Sequence, residues 1–237
     1  GTLHLVREQD TLKLTAPVED RTDGFLATSF VNSILNQTGK VLEEKNQQWA
    51  EYGLENTPYR VEVTSKKGDK KTYLVGTEQA FDGSYYLRDG ERLLLGTSSW
   101  KSFLTKAAND IRDKKLFNFG DRVKEVRINS RELKLVHQNN KDESKWVNED
   151  HPQWVLSESE VDRFITDLTN YRANDFVAED VTQETLKKFG LNQPQLTVEI
   201  GLENEKSEGP HWWLKAVHPK TSPKEVYAIV KGGKAIY

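Results

Sequence analysis

Apolar positions recur along this chain at two spacings, and the switches between them outline its elements. Leu3-His4-Leu5-Val6 and Leu12-Lys13-Leu14 alternate like short strands about a polar turn at Glu8-Gln9-Asp10, and Ala16-Pro17 closes that hairpin. Ala27, Phe30, Val31, Ile34 and Leu35 then form one stripe at helical spacing, with Asp23 placed to cap it. A second short helix is predicted over 47–52. Strands follow over 59–64 and 72–75, separated by Lys66-Lys67-Gly68-Asp69-Lys70. Ser84-Tyr85-Tyr86-Leu87 and Arg92-Leu93-Leu94-Leu95 flank Asp89-Gly90, a strong hairpin signal. Ser98 or Ser99 opens a helix with Trp100, Phe103, Leu104, Ala107, Ala108 and Ile111 on one face.

The second half repeats this rhythm. Val123, Val126 and Ile128 make a strand, Leu133-Lys134-Leu135-Val136 echoes Leu3-His4-Leu5-Val6, and Lys145-Trp146-Val147 with His151-Pro152 echoes Leu12-Lys13-Leu14 with Ala16-Pro17. Ser157 and Glu160 form a capping-box pattern before Val161, Phe164, Ile165 and Leu168. Thr182 caps a helix reaching Phe189. Strands over 196–200, 211–216 and 226–230 and a turn at Gly232-Gly233 complete the pattern.

The strongest sign of repetition is a punctuation motif. Tyr52-Gly53-Leu54 with Pro58 returns as Phe189-Gly190-Leu191 with Pro194, and the glycines lie 190 − 53 = 137 residues apart. In each, a helix ends on an aromatic residue. Glycine takes the left-handed position beyond it, leucine folds back, and proline prevents continuation before a strand begins. The expectation is an α+β protein of two tandem copies, 1–122 and 123–237. Each copy is an antiparallel sheet with its helices packed on one face, and the second lacks the last helix. Tyr227 aligns with Tyr85 and Gly232 with Gly90, both at an offset of 142, while Ala216 stands where Gly76 would recur.

Composition narrows the function classes. The 237 residues carry 34 basic and 37 acidic side chains, a net charge of −3, which gives no electrostatic reason to expect nucleic acid. Cysteine is absent, excluding disulfides and thiolate chemistry. No apolar run approaches the ~20 residues of a membrane span. The histidines are His4, His137, His151, His211 and His218. His211 and His218 are seven apart, which fits no zinc spacing. No serine-nucleophile, zinc-protease or phosphate-loop pattern occurs. Carboxylate pairs such as Glu43-Glu44, Glu149-Asp150 and Glu179-Asp180 read as solvated surface. No catalytic residue, metal or cofactor is expected.

Several stretches together resemble the bacterial family catalogued as domain of unknown function 4340. They are the two aromatic-Gly-Leu motifs, Leu74-Val75-Gly76 before a tyrosine-containing hairpin, and above all Asp110-Ile111-Arg112-Asp113-Lys114-Lys115-Leu116-Phe117 leading into Val123-Lys124-Glu125-Val126-Arg127-Ile128. The resemblance covers nearly the whole chain. It implies an extracytoplasmic protein held by an N-terminal membrane anchor ahead of Gly1, associated with ABC-transporter auxiliary proteins of the gliding-motility type, and it carries no catalytic residues.

Two functional readings follow. One is a non-enzymatic scaffold or adaptor that binds an envelope protein; the other is a glycan- or ligand-binding module using exposed aromatics, with a hydrolase third. Trp212 and Trp213 are the candidate contact residues, with His211 and His218 beside them. Adjacent strand residues point to opposite faces, so if one tryptophan packs inward the other lies outward or beneath the 203–210 loop.

Overall fold

The computed structural model describes residues 1–119, 122–129, 133–139, 144–203, 212–219 and 224–237. It is an α+β structure, with strands in antiparallel sheets and a few short helices. The chain forms two compact units, Gly1–Asp113 and Lys114–Tyr237. The residues between Lys114 and the first strand of the second half thus belong with the second unit. Leu116 N–H donates to the Tyr171 carbonyl and Ala173 N–H to that of Lys114.

In the first unit β1 (His4–Glu8), β2 (Thr11–Ala16) and β3 (Asp20–Arg21) form one sheet in the order β1-β2-β3. The Asp23 carboxylate accepts from the N–H groups of Phe25 and Leu26, each at 3.1 Å, and starts α1 (Gly24–Leu35). A second sheet holds β4 (Gly39–Glu43), β5 (Arg60–Thr64), β6 (Lys70–Glu78), β7 (Tyr85–Asp89) and β8 (Arg92–Gly96) in the order β4-β8-β7-β6-β5. Neither β3 nor β4 was legible in the pattern. Every residue of β4 is exposed, so it shows no alternation of apolar and polar positions. Val75, Tyr85, Leu87, Leu94 and Trp100 make the core of this sheet.

The long helix expected after Ser99 is broken. α2 covers only Trp100–Thr105; Lys106 is extended, and a 3-10 turn follows at Ala108–Asp110. The Asp110 carboxylate accepts from the Ala107 N–H, and this local bond competes with helical pairing. Ile111, Arg112 and Asp113 then bond back to the start of α1 and to β3. Asp23 N–H donates to the Ile111 carbonyl and Asp113 N–H to that of Arg21. Buried Arg112 donates through Nε to the Asp20 carboxylate at 2.8 Å and through Nη1 to the Asn109 Oδ1 at 3.0 Å.

In the second unit β9 (Val123–Ile128), β10 (Leu133–Asn139), β11 (Ser144–Asn148), β12 (Leu196–Leu202), β13 (Trp212–Val217) and β14 (Tyr227–Val230) form a single sheet in the order β11-β10-β9-β12-β13-β14. α3 (Glu158–Asn170) lays Val161, Phe164, Ile165 and Leu168 against Val126, Leu135, Val198, Ile200 and Leu214. The capping box at Ser157 does not form: the Ser157 hydroxyl bonds to that of Ser159, and Glu158 accepts from the Trp146 N–H. At α4 (Gln183–Lys188), Thr182 and Thr185 cap each other reciprocally. After β14 the chain turns back, and Ala228 and Tyr237 exchange backbone hydrogen bonds.

The expectation that helices occupy one face is corrected in both units. α3 covers one face of the second sheet. Leu186 and Phe189 of the α4 segment pack instead with Val217, Ile229 and Trp213, which alternate with Leu214, Ala216, Ala228 and Val230 and so point to the reverse face. In the first unit the α2 residues Trp100 and Phe103 lie against the Val75 side. The 3-10 turn Trp49–Tyr52 lies on the other side, with the Tyr52 ring 4.8 Å from Tyr86 and Arg88 stacked 4.2 Å from Trp49. A strand pleat with apolar residues on both sides needs both sides covered.

Candidate functional site

The two aromatic-Gly-Leu motifs are helix caps with the same bonding. Gly53 has φ +66° and Gly190 φ +75°. Gly53 N–H donates to the Ala50 carbonyl and Leu54 N–H to that of Trp49; Gly190 N–H donates to Lys187 and Leu191 N–H to Leu186. This pair of bonds is the Schellman arrangement, and in each case the leucine beyond it is buried. Pro58 and Pro194 then lead into β5 and β12. The first cap sits hard on β6: a Cβ on Gly76 would lie 2.2 Å from the Tyr52 carbonyl oxygen and 2.8 Å from the Leu54 side chain. On the second sheet the β13 residue that faces the cap is Val217, whose methyl groups lie 3.7 and 3.8 Å from where a Cβ on Gly190 would stand; Ala216, expected at the Gly76 position, points to the opposite face beneath α3. The motif residues therefore shape the fold and present no reactive group.

Trp212 and Trp213 point to opposite faces of β13, and both are half-buried. Trp212 joins the core beneath α3, 5.5 Å from the Phe119 ring. Trp213 lies on the α4 face, with the Lys215 ammonium 4.8 Å from its ring. His218 is exposed; its Nδ1 donates to the Glu225 carbonyl at 3.0 Å and its backbone N–H to the Gln195 Oε1. His211 and the 204–210 loop lie outside the described residues. The structure thus does not bring the tryptophans together on one surface.

Register assembles a different set. Glu149 bonds to Lys134, Lys134 pairs with Arg127, Arg127 with Glu199, and Glu199 with Trp213, in one row across the sheet on the side away from α3. Arg127 donates to Glu125, a residue only 8% exposed, and Lys134 reaches both Glu125 and Glu149. Beside this row a depression of about 760 Å³ is lined by Arg127, Lys134, Asp150 and Glu199, by Asn129 and Thr197, and by the apolar Ile128 and Leu133. Its cations are paired with carboxylates, so it is a recess of mixed polar and apolar lining with alternating charge. Among the described residues no three His, Asp or Glu side chains come together to hold a metal. Sequence reasoning missed the recess because one of its walls, Thr197 and Glu199 of β12, joins β9 across about 70 residues, Arg127 standing opposite Glu199.

The second unit also displays apolar surface. Trp154 is 52% exposed and Val155 98%. The Trp154 indole stacks on His151 with ring centres 4.2 Å apart and planes 13° apart, fixed by the Trp154 N–H donating to the His151 carbonyl. In the first unit Phe81 stands 96% exposed in the loop between β6 and β7.

The first four residues of the block Asp110–Phe117 fasten the end of the first unit, and Leu116 and Phe117 are buried in the core of the second. The family model described as Domain of unknown function (DUF4340) matches residues 14–181 and again 146–237. The chain belongs to this family. No curated protein and no solved structure matches it. In this DUF4340 member the motif residues singled out in the sequence are thus caps, a clasp and core.

Proposed function

We propose that this chain is the extracytoplasmic part of a membrane-anchored protein and works as a non-enzymatic scaffold or adaptor that binds another envelope protein. The observation that carries this reading is the exposed Trp154-Val155 surface beside the stacked His151. Large apolar side chains held rigidly in water mark contact sites for partners. The family resemblance implies an auxiliary subunit of an ABC-transporter-like complex as that partner. No helix among the described residues is long and apolar enough to cross a membrane, and the anchor in this reading lies ahead of Gly1.

The two units are read as copies of one ancestral unit. What supports this is the strand order. β5-β6-β7-β8 with β4 outermost corresponds to β12-β13-β14, the returning segment at Ile236, and the Ala178 bridge outside it. Each also has a Schellman cap on the reverse face, packed through an aromatic pair: Tyr52 with Tyr86 at 4.8 Å, Phe189 with Tyr227 at 5.0 Å, so that Tyr227 takes the place of Tyr86 and not of Tyr85 as the constant offset of 142 suggested.

The stacked His151-Trp154 pair favours one second reading, since an exposed indole is a platform for a sugar ring. Pull-down from native membranes decides between them. Wild type is expected to retain a transporter component, and Trp154→Ala with Val155→Ser is expected to lose it with the melting temperature unchanged. Retention on a glycan array that Trp154→Ala abolishes, with no protein recovered, would transfer the assignment to ligand binding.

A further inference from the structure

In the second unit β9 is the strand that makes one sheet of two pieces. It pairs antiparallel with β10 on one side, Val126 opposite Leu135, and with β12 on the other, Val126 opposite Ile200. Without β9 the order β11-β10-β9-β12-β13-β14 would separate into β11-β10 and β12-β13-β14. The first unit has those two pieces: β3-β2-β1 and β5-β6-β7-β8-β4, with β1 and β5 as edges and no strand joining them among the described residues.

The β5 edge differs from β12 in the way a missing neighbour requires. Val198 and Ile200 are 4% and 0% exposed, whereas β5 has no buried residue, and Val61 and Val63 remain half-exposed. The backbone is open as well. Val75 N–H donates to the Tyr59 carbonyl, and bonding direction alternates along an antiparallel strand. Arg60, Glu62 and Thr64 therefore turn their N–H and C=O groups away from β6, toward the free edge. An uncovered edge of this kind is a template for one more strand. β1 likewise has no buried residue, while β10 contains Leu135 at 4%.

We propose that the first unit contains a strand slot between β1 and β5, filled by the polypeptide that leads into Gly1. The inference rests on the reading of the two units as copies and of an anchor ahead of Gly1. β9 prescribes the chemistry of the occupant. It runs antiparallel to both edges, with apolar residues opposite Val61 and Val63 as Ile128 and Val126 stand opposite Val198 and Ile200, and a cation opposite Glu62 as Arg127 stands opposite Glu199. The source is the same chain because β9 passes into β10 across only residues 129–132, and β1 begins at His4. The tether from the membrane is then part of a sheet, so a pull on the anchor loads the folded unit directly.

The test grafts residues Arg122–Glu132 in place of Gly1-Thr2 in the whole chain, leading straight into Leu3, and reads amide hydrogen exchange by NMR. Arg60, Glu62 and Thr64 are expected to exchange at least about tenfold more slowly than in the unmodified chain. The same graft with proline at the Val126 counterpart is expected to restore the original rates. Unchanged exchange at Val75 and Leu87 shows that both variants are folded. Equal rates at Arg60, Glu62 and Thr64 with and without the graft would overturn the proposal. So would rates in the ungrafted chain that fall with protein concentration, which assign the edge to a second copy. The copy relationship is judged separately, by superposing independently determined structures of the two units, so the two ideas fail in different experiments.

Discussion

At the residue scale, three glycines rank themselves by what a methyl group would meet. Gly76 has a carbonyl oxygen 2.2 Å from the site of its missing Cβ, and backbone cannot swing aside as a side-chain tip can. Gly53 combines a left-handed φ with Thr77 Cγ2 at 2.7 Å; Gly190 has the left-handed φ alone. Alanine is therefore expected to cost most at Gly76, about 3 kcal/mol, then roughly 2 at Gly53 and about 1 at Gly190. Denaturant midpoints check the order, and a largest loss at Gly190 would contradict the cap geometry. Glu78 is the informative titrating group. The Tyr85 hydroxyl donates to its Oε2 at 2.8 Å and, with Lys101 nearby, holds the carboxyl below the ordinary glutamate range against the opposing effect of burial. A depressed carboxyl stabilises the fold above its unfolded pKa, and that contribution disappears as the pH falls through the folded value. NMR titration is expected to place Glu78 below the ordinary glutamate value, and Tyr85→Phe to move it upward. No change in Tyr85→Phe would remove the hydrogen bond as the cause.

At the scale of elements, the segment after α2 is held by an ion pair rather than by helix propensity. The Arg112 side chain is 2% exposed and that of Asp20 28%, and Nη2 and Nε both reach Oδ2. Taking away the carboxylate removes an anionic partner from a buried guanidinium, which costs more than the pair itself contributes. Asp20→Ala is expected to destabilise the first unit by about 2–3 kcal/mol, whereas Glu19→Ala, whose ion pair with Lys13 is solvent-exposed, should change stability by less than about 1 kcal/mol. Equal effects in urea unfolding would show that the clasp is dispensable. The same clasp explains why apolar spacing overestimated the helix: Ile111 is 1% exposed, and it is buried through a turn and the bond from Asp23 rather than on a helical face.

At the scale of the molecule, what was readable in the chain follows the range of the forces involved. The hairpin turns, the Asp23 and Thr182 caps and the two Schellman glycines are decided within about five residues. They stand in the structure where the apolar and turn pattern places them. The family resemblance drew on these local caps together with the Asp110–Phe117 stretch, whose Arg112 is held by Asp20, 92 residues away, and whose Leu116 and Phe117 are core. Other features depended on partners tens of residues away. These include the burial of adjacent Trp212 and Trp213 on two different faces, the fully exposed β4, the recess of Lys134, Arg127 and Glu199, and the division of strands into one sheet or two. A single sequence carries the alternation of a strand but not the identity of its neighbours, since hydrogen bonding between backbones is the same whichever side chains they bear. Tertiary structure alone decides which edges are joined and which stay open, because sheet order is set by burying both faces at once and not by any one strand's own preference.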